Sequence, residues 1–282
     1  MKKLTDTLKL HNGLGIPCVG FGTWQTPDGE TAVKSVCEAV KAGYRHIDTA
    51  AVYRNEKGVG QAIKECGVDR KELFVTSKLW NSERGYEKTL KAFEKTLSDL
   101  GLDYLDLYLV HWPANSAQYD DPDSVNLSTW KAMIELYKAG KVKAIGVSNF
   151  LPHHLAPLME TEVPPMVNQI EYHPGYMQKE TVDYCNANGI IVEAWSPLGC
   201  GRLLGNEMLS GIAQKYGRSV AQLCIRWCIQ NGTLPLPKSV TPSRIIENAN
   251  VFDFVISDED MATINAMEQC GFSGNDPDKV KF

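Results

Sequence analysis

The sequence has no long hydrophobic run and only a small net charge, and both absences exclude classes of protein. No apolar stretch approaches the ~20 residues that cross a membrane as a helix. The segment MKKLTDTLKL lacks the apolar centre of a signal peptide. We therefore expect a cytoplasmic protein that does not bind membranes. The formal net charge is -5, which argues against nucleic acid as a partner because nucleic-acid-binding surfaces are basic.

Two kinds of binding motif are also missing. The eight cysteines are scattered, and the i,i+4 pair Cys224 and Cys228 has no nearby His or further Cys to complete a zinc site. We expect reduced core thiols and no metal. The chain has no G-x-G-x-x-G motif either. Gly58 and Gly60 lack a third glycine and the strand–turn–helix setting of a Rossmann site, which excludes that way of binding a dinucleotide.

What the sequence does contain is a regular alternation of short apolar stretches and amphipathic helical stretches. Asn12-Gly13, between two short extended runs in residues 8–19, predicts an N-terminal β-hairpin. Eight strand–helix pairs follow. Their strands are predicted at 19–23, 44–48, 73–78, 104–111, 142–148, 166–171, 190–195 and 233–238. The pattern predicts an α/β fold, a (β/α)8 TIM barrel with an N-terminal β-hairpin and two extra helices, in a single domain of residues 1–282.

Three segments outside the strands carry specific expectations. Residues 113–126 are polar and predict a long loop. The helix after this loop is predicted at 128–139, with the Ser128 hydroxyl as its cap. Residues 271–282 are polar and contain Gly and Pro, which predicts a coil on the surface.

The C-terminal ends of the predicted strands bring together residues with catalytic chemistry, because barrels of this type place active sites there. Asp48 ends the second strand and Tyr53 follows it in a loop, while Lys78 ends the third strand and His111 the fourth. A tyrosine has a reference pKa near ~10, and a neighbouring ammonium lowers it. A carboxylate can hold the lysine, and a neutral imidazole can orient a carbonyl oxygen. The four residues therefore predict a general-acid site for reducing a carbonyl.

Each of these residues also has a purely structural interpretation. Asp48 and Lys78 can form a barrel salt bridge, and His111 can be a hydrogen-bonded core histidine, but all four at one end are harder to explain in this way. Three tryptophans follow the same strand ends, namely Trp24, Trp80 and Trp112. They either cap the barrel or form an apolar substrate pocket with aromatic walls.

The segment LPKSVTPSRIIENAN offers a site for a phosphate group. Lys238, Ser239 and Arg244 supply two positive charges and a hydroxyl, and Ser243 can cap the helix that follows. A helix N-terminus beside two cations suits an anion. The alternative is an ordinary solvated helix start.

Taken together, these stretches resemble the aldo-keto reductase superfamily. The matching segments are GYRHIDTAAVYRNEKGVG, LYLVHWP, IGVSNF, VNQIEYHP, AWSPLG and LPKSVTPSRIIEN, with NGLGIPCVGFGTW near the N-terminus. They cover nearly the whole chain. The resemblance implies that Tyr53 is the proton donor, that Lys78 lowers its pKa, that Asp48 pairs with Lys78, and that His111 orients the substrate carbonyl.

The resemblance also implies a cofactor, NADPH/NADP+, which lies extended across the barrel mouth and reduces a small-molecule carbonyl substrate. Trp195 is implied to stack on the nicotinamide. The other implied contacts are Ser148, Asn149 and Gln169 to the carboxamide, Ser196 and Leu198 near the pyrophosphate, Lys238, Ser239 and Arg244 to the 2′-phosphate, and Glu247 and Asn248 to adenine. Because members of the family are often monomers, the resemblance implies a monomer.

Two features place the chain within the superfamily. The tryptophan at position 195 is similar to that of short, mostly prokaryotic members, which include diketogluconate and glyoxal reductases. The C-terminal tail is short, whereas in longer relatives it walls one side of the substrate pocket. The resemblance therefore implies an open pocket that accepts small aldehydes, ketoaldehydes, diketones and aromatic aldehydes.

Two other functions are compatible with part of the pattern. A metal-dependent barrel hydrolase has candidate ligands in His46, His111, His173, Glu171 and Glu193. The sequence has no H-x-H pair, however, and His46 lies inside a predicted strand, which argues against this alternative. A protein that binds NADPH and reports redox state to a partner with little turnover would keep the same fold. The intact set of four catalytic residues argues against this second alternative.

Overall fold

A two-stranded antiparallel hairpin precedes a barrel of eight parallel strands in the computed structural model, which describes residues 1–282. The strands are β1 (Thr7–Lys9), β2 (Gly15–Pro17), β3 (Phe21–Gly22), β4 (His46–Asp48), β5 (Phe74–Leu79), β6 (Leu107–Val110), β7 (Ile145–Ser148), β8 (Val167–Glu171), β9 (Ile191–Trp195) and β10 (Leu234–Leu236). Strands β3 to β10 pair in chain order. The barrel closes where the backbone N–H groups of Gly20 and Gly22 donate 3.0 Å hydrogen bonds to the carbonyls of Pro235 and Pro237. The predicted (β/α)8 barrel with its hairpin is confirmed.

Every barrel strand is followed by a helix that packs on the outside of the barrel. The helices are α1 (Glu30–Lys41), α2 (Glu56–Glu65), α3 (Tyr86–Leu100), α4 (Pro122–Lys138), α5 (Pro152–Met159), α6 (Lys179–Ala187), α7 (Glu207–Lys215), α8 (Val220–Gln230), α9 (Pro242–Ala249) and α10 (Asp258–Asn265). The two predicted extra helices are present, because α7 and α8 both follow β9 and α10 follows α9. No helix combines the length and the apolar character needed to cross a membrane.

The barrel strands are buried on both faces, which explains why apolar and polar residues alternate only weakly along them. All six residues of β5 are buried, for example. The barrel interior also contains polar side chains. His46, Lys78 and Glu193 have no exposed surface. Polar groups at this depth need partners, since an unpaired one is costly to bury, and the site described below supplies most of them.

Two helix starts differ from the predictions. Helix α4 begins at Pro122, inside the segment predicted as a loop, and Ser128 lies within the helix rather than at its cap. The carboxylate of Asp121 accepts a 3.1 Å hydrogen bond from the Ser124 N–H and so caps the helix. Proline is favourable at the first helical position, where its missing N–H has no partner to lose. Asp121 and Pro122 lie in the segment predicted as a loop from its polarity, and they mark the helix start.

The phosphate-site helix also starts before its predicted cap. Helix α9 begins at Pro242, and Thr241 occupies the cap position. Ser243, which was predicted to cap this helix, lies in its first turn and is exposed. The hydroxyl of Ser239 instead accepts a 3.1 Å hydrogen bond from the Thr241 N–H, so it organises the turn that leads into the helix.

Candidate active site

The ammonium of Lys78 lies at the centre of a hydrogen-bonded cluster at the C-terminal end of the barrel. Its Nζ donates to both carboxylate oxygens of Asp48 at 2.7 Å and to the carbonyl of Thr49 at 2.9 Å. It also donates to the hydroxyl of Tyr53 at 3.4 Å. Asp48 ends β4 and Lys78 lies near the end of β5, the neighbouring strand, so parallel pairing brings the two side chains together. The structure therefore assembles three of the four predicted catalytic residues around one ammonium.

Tyr53 is held by a 3-10 turn, Ala51–Tyr53, between β4 and α2. The residue that fixes this turn is Asn55, which was not among the predicted site residues. Its side chain accepts a hydrogen bond from the Thr49 hydroxyl at 2.8 Å and donates to the backbone carbonyls of Thr23 and Thr26 at 2.9 and 3.0 Å. Asn55 thus ties the Tyr53 turn to the loop after β3. The only signal in the sequence was an asparagine near a predicted helix. In the structure Asn55 is at the start of α2, but its side chain makes no cap hydrogen bond.

Burial and charge act in opposite directions on the two titrating groups. Burial pulls the pKa of Lys78 down, but the net shift is upward, chiefly through the negative charge of Asp48, so the lysine stays cationic at neutral pH. Burial raises the pKa of Tyr53, and the charge of Lys78 is the largest influence that lowers it. The net shift for Tyr53 is upward. The expected lowering by Lys78 is present but smaller than the effect of burial, and Tyr53 holds its proton at neutral pH.

His111 completes the cluster from the strand after Lys78. Its ring packs edge-on against the rings of Tyr53 and Trp80, with centroids 5.8 and 5.3 Å away. Burial, with the nearby charges of Lys78 and Arg84, lowers the pKa of His111 well below its ordinary value, so the imidazole is neutral. Its Nδ1 is buried without a partner. Because orphaned buried donors are rarer than orphaned acceptors, this favours the tautomer that carries its proton on Nε2, which faces the cavity.

Arg84 supports His111 and the residues after it, and sequence reasoning did not identify this arginine. The guanidinium is buried and donates to the carbonyls of Trp112 at 3.1 Å and Pro113 at 2.8 Å. It also donates to the Gln118 side chain at 3.0 Å. These bonds hold the backbone that follows His111. Burial lowers the pKa of Arg84, yet an arginine remains charged in proteins.

Four predicted cofactor residues form one hydrogen-bonded chain across β7, β8 and β9. The Ser148 hydroxyl donates to the Gln169 carbonyl at 2.7 Å, and Asn149 Nδ2 donates to Ser148 Oγ at 3.0 Å and to the His111 carbonyl at 3.0 Å. The Trp195 indole N–H donates to Asn149 Oδ1 at 2.8 Å. All the donors of this chain are used within the protein. The groups left for a ligand are therefore oxygen lone pairs.

Four non-glycine residues that line the cavity have left-handed backbone conformations, namely Gln25, Asn149, Ser196 and Cys200. Asn149 has a φ of 64° and Ser196 a φ of 55°, and each follows the end of a barrel strand. Such conformations cost on the order of 1–3 kcal/mol and persist where surrounding contacts hold them. The three side-chain hydrogen bonds of Asn149 provide that hold.

A cavity of about 470 Å³ opens at this end of the barrel. The predicted site residues that line it are Trp24, Asp48, Tyr53, Trp80, His111, Trp112, Ser148, Asn149, Gln169, Trp195, Ser196, Leu198 and Lys238. Lys78 has no exposed surface and lies behind Tyr53 and Asp48. The structure thus brings the predicted catalytic, nicotinamide and tryptophan residues to one cavity.

The C-terminal tail is a surface coil, as predicted. It lies along one side of this cavity, whereas its short length predicted an open pocket. The Phe282 ring stacks on Trp80, with centroids 5.9 Å apart, and meets Trp112 edge-on at 5.4 Å. Asn275 and Phe282 both line the cavity. The Asn115 side chain anchors the tail through its hydrogen bonds to the carbonyls of residues 277 and 280. A short tail reaches the mouth because it crosses directly over the ends of the strands.

The predicted phosphate site extends beyond the cavity. Lys238 lies at the cavity edge, and its Nζ donates to the Gln25 carbonyl at 3.3 Å. The remaining members do not line the cavity; they are Ser239, Arg244, Glu247 and Asn248. Ser239 and Asn248 are buried, whereas Arg244 is exposed. The cationic groups therefore lie along a surface that leads away from the cavity toward α9.

The candidate ligands of a metal-dependent hydrolase do not converge on one point. His46 Nε2 lies 3.8 Å from Glu193 Oε1 inside the barrel, while His173 Nε2 lies 3.4 Å from Glu171 Oε1 at another place. His111 is in neither pair. Cys224 and Cys228 are buried free thiols, and burial raises the pKa of both, which disfavours the thiolate form that binds zinc.

One other cluster, His153, His154 and Asp278, has ligand atoms within 4.8 Å of one another. The two Nε2 atoms lie 2.9 and 3.1 Å from Asp278 Oδ1. His154 Nδ1 accepts a 3.2 Å hydrogen bond from the Leu151 N–H, so the proton of the neutral ring is on Nε2, the atom that a metal would need. The arrangement favours a hydrogen-bonded clasp between the tail and α5.

Most of the chain matches one known protein family. A profile of the Aldo/keto reductase family matches residues 18–269. The chain is 54% identical over 280 residues to glyoxal reductase of Bacillus subtilis (strain 168), covering 99% of each chain. It is 42% identical over 275 residues to methylglyoxal reductase DkgA of Escherichia coli (strain K12), covering 96% of this chain and 97% of that one.

A solved structure shares the same fold. A variant of Gox0644 in complex with NADPH superposes with a TM-score of 0.91 and 44% identity, covering 99% of both chains. The family predicted from the sequence motifs is confirmed, and so is the barrel. The chain belongs to the aldo/keto reductase family and is an oxidoreductase.

Proposed function

We propose that this protein reduces aldehydes and ketones to alcohols with NADPH, and that Tyr53 donates the proton. The observation that carries the proposal is the Lys78 cluster. A tyrosine hydroxyl that holds its proton lies 3.4 Å from a buried ammonium, and that ammonium is held at 2.7 Å by a carboxylate. This is the arrangement that a general acid needs to protonate an alkoxide and to have its own negative charge stabilised afterwards.

The residues at the cavity fit a nicotinamide with its carboxamide. Ser148, Asn149 and Gln169 offer lone pairs on side-chain oxygens, which suit the amino group of a carboxamide. The Trp195 ring is partly exposed in the cavity, where its face is available for stacking on an aromatic ring. NADPH would supply a hydride to the carbonyl carbon when bound there. The similar Gox0644 structure is a complex with NADPH.

The chain's own residues handle the carbonyl oxygen. His111, neutral and with its proton on Nε2, donates a hydrogen bond that orients this oxygen. Tyr53 gives its proton to the same oxygen as negative charge develops. The Lys78 ammonium then stabilises the phenolate that remains, and Asp48 keeps the lysine in place. The neutral imidazole matters because an imidazolium would be a second cation beside Lys78 and would compete with Tyr53 as the proton donor.

The aromatic end of the cavity supports a substrate with a small or flat apolar group. Trp80 and Phe282 stack with their planes 10° apart, and Trp112 meets Phe282 edge-on. Trp24 is about half exposed at the rim. Such walls take small ketoaldehydes, diketones and aromatic aldehydes. The relatives named glyoxal reductase and methylglyoxal reductase support the first of these classes.

The cations beyond the cavity support NADPH over NADH. Lys238 and Arg244 form no ion pair with an acidic side chain, and Arg244 is exposed. The 2′-phosphate of NADPH is negatively charged and can pair with these cations, whereas NADH has no such group. Glu247 and Asn248, on the same helix, are placed to contact the adenine beside it. Ser196 and Leu198 lie on the route between the two ends, where the pyrophosphate would pass.

The test is loss of reduced-nicotinamide absorbance with methylglyoxal and with benzaldehyde, for wild type and Tyr53→Phe. We expect NADPH-dependent turnover in wild type and a fall in kcat of about 10²- to 10⁴-fold in the variant, because general acid catalysis contributes about that much. The dissociation constant of NADPH should change little. Tyr184→Phe is a matched control, since it removes a hydroxyl from α6, away from the cavity.

The other outcomes are equally informative. Turnover in Tyr53→Phe close to that of wild type would show that another group donates the proton. Tight NADPH binding without turnover of any carbonyl would support the alternative of a redox-sensing protein. Absence of NADPH binding would refute the cofactor contacts proposed here.

A further inference from the structure

Glu193 is a buried acid in the middle of β9 that the proposed mechanism does not use. It has no exposed surface, and it is paired in register with Gln169 on β8. Its Oε2 accepts a 2.7 Å hydrogen bond from Gln169 Nε2. Its Oε1 has no partner, since His46 Nε2 lies 3.8 Å away. A carboxyl group that costs this much to bury needs an explanation.

The Gln169 side chain shows what Glu193 does. Gln169 Nε2 donates one hydrogen to Glu193 and the other to Asp48 Oδ2 at 2.9 Å. Both amide hydrogens are therefore directed toward the barrel interior. Gln169 Oε1 makes no hydrogen bond within the protein and is not sealed off from the cavity that Gln169 lines.

Two acids on one amide nitrogen fix the direction of the whole amide group. If the amide flipped, Oε1 would meet the lone pairs of Asp48 and Glu193, and Nε2 would point into the cavity. Asp48 alone is a weak guide, because both its oxygens already accept hydrogen bonds from Lys78. Burial and the charge of Asp48 raise the pKa of Glu193 to about 8. The acid is thus neutral near pH 7 and does not add a second buried charge beside Asp48. Because Oε2 accepts the hydrogen bond from Gln169, the carboxyl proton is on Oε1, and Oε2 keeps its lone pairs toward the amide.

We infer that Glu193 is a positioning residue that holds the Gln169 amide with its oxygen toward the cavity, so that the site reads the amino group of the nicotinamide carboxamide. The inference rests on the proposed contact between Gln169 and the carboxamide. It explains why an acid is buried behind that glutamine. It also means that two residues together give the site its specificity for an amide over other carbonyl groups. Glu193 orients Gln169, and Gln169 contacts the amide.

The experiment compares two cofactors that differ only at this group. In the reduced 3-acetylpyridine analogue of NADPH, a methyl group replaces the amino group, so nothing can donate to Gln169 Oε1. Binding of both cofactors is titrated by quenching of tryptophan fluorescence in wild type, Glu193→Leu and Glu193→Gln. Glu193→Met is a second apolar variant, because its unbranched side chain adapts to the same space.

We expect Glu193→Leu and Glu193→Met to weaken NADPH by about three- to tenfold, the effect of one net hydrogen bond. The affinity for the acetylpyridine analogue should fall by less than about twofold in the same variants. Glu193→Gln should keep the wild-type ratio, since its side-chain oxygen can accept from Gln169 in the same way. A purely structural role for Glu193 would weaken both cofactors to the same extent and leave their ratio unchanged.

A Gln169→Leu variant separates failure of this inference from failure of the proposed contact. If Gln169→Leu discriminates between the two cofactors but the Glu193 variants do not, Glu193 has no positioning role and the contact stands. If Gln169→Leu weakens both cofactors equally, the carboxamide contact itself is wrong and the inference falls with it. A changed ratio in Glu193→Gln would also overturn the inference.

Discussion

Lys78 and Arg244 are both cations of the proposed site, yet the fold surrounds them in opposite ways. Lys78 has no exposed surface and donates to two carboxylate oxygens, a backbone carbonyl and a tyrosine hydroxyl. Arg244 is exposed on α9 and makes no contact with an acid. All the hydrogen-bonding capacity of Lys78 is used within the protein, whereas Arg244 is accessible to a ligand.

The difference reflects what each cation has to do. A group that stabilises a charge formed during a reaction must be fixed beforehand in a site from which water is excluded, because reorganising dipoles later would raise the barrier. Its burial is possible only with a partner such as Asp48. A group that recognises a phosphate gains most if no protein acid already neutralises it. The proposed catalytic end of the site is therefore built into the barrel core, and the proposed phosphate-recognition end lies on its surface.

The largest expected effect comes from breaking the buried pair. Lys78→Met should lower the free energy of unfolding by about 3–5 kcal/mol, because it leaves Asp48 as an unpaired buried charge. Urea unfolding measures this change. The double variant Lys78→Met with Asp48→Asn should recover part of the loss, since no charge then remains. Equal stability of Lys78→Met and wild type would mean that the pair does not hold the barrel mouth together.

Glu193 differs from Asp48 because it is a buried acid without a cation as its partner. Its effect on the free energy of unfolding should therefore depend on pH. Between its ordinary pKa of 4.5 and its folded pKa of about 8, Glu193 keeps its proton in the folded chain and loses it in the unfolded chain. Its contribution to the free energy of unfolding therefore falls as pH rises, by up to about 1.4 kcal/mol per pH unit. Glu193→Gln removes this contribution, so its stability relative to wild type should increase from pH 5.5 to 7.5.

Urea unfolding at pH 5.5, 6.5 and 7.5 measures the Glu193 effect. Glu207→Gln, an exposed residue in the first turn of α7, is the control and should show no such trend. Parallel pH profiles for wild type and Glu193→Gln would mean that Glu193 is ionised in the folded protein. The Lys78–Asp48 pair would then share its interior with a second negative charge.

The smallest expected effect is at the exposed cation. Arg244→Ala should weaken NADPH by about tenfold, the order of a charge-assisted hydrogen bond at an exposed site. NADH should be unaffected, and the free energy of unfolding should change by less than about 0.5 kcal/mol. Because the charge is exposed, the loss should shrink at high salt. Lys91→Ala on α3 is the control, and equal weakening of NADPH and NADH by Arg244→Ala would refute the phosphate contact.

The fold and most of the site were predictable because they follow from local patterns. The strand ends at Asp48, Lys78 and His111 were found from sequence, and parallel pairing then required their side chains to meet. The start of α4 was missed because Asp121 and Pro122 signal a loop and a helix start equally well. The supporting residues Asn55 and Arg84 were missed because most of their hydrogen-bond partners are backbone carbonyls, which no sequence pattern identifies.

Motifs in the sequence predicted the family, the barrel and the candidate catalytic residues at its mouth, since each depends on spacing along the chain. Only the tertiary structure decided that the tail brings Phe282 onto Trp80, and that the Gln169 amide points its oxygen to the cavity. These contacts join residues far apart in the chain, such as Gln169 and Asp48, which are 121 positions apart. Which of several polar groups becomes a partner is set by the geometry of the closed barrel.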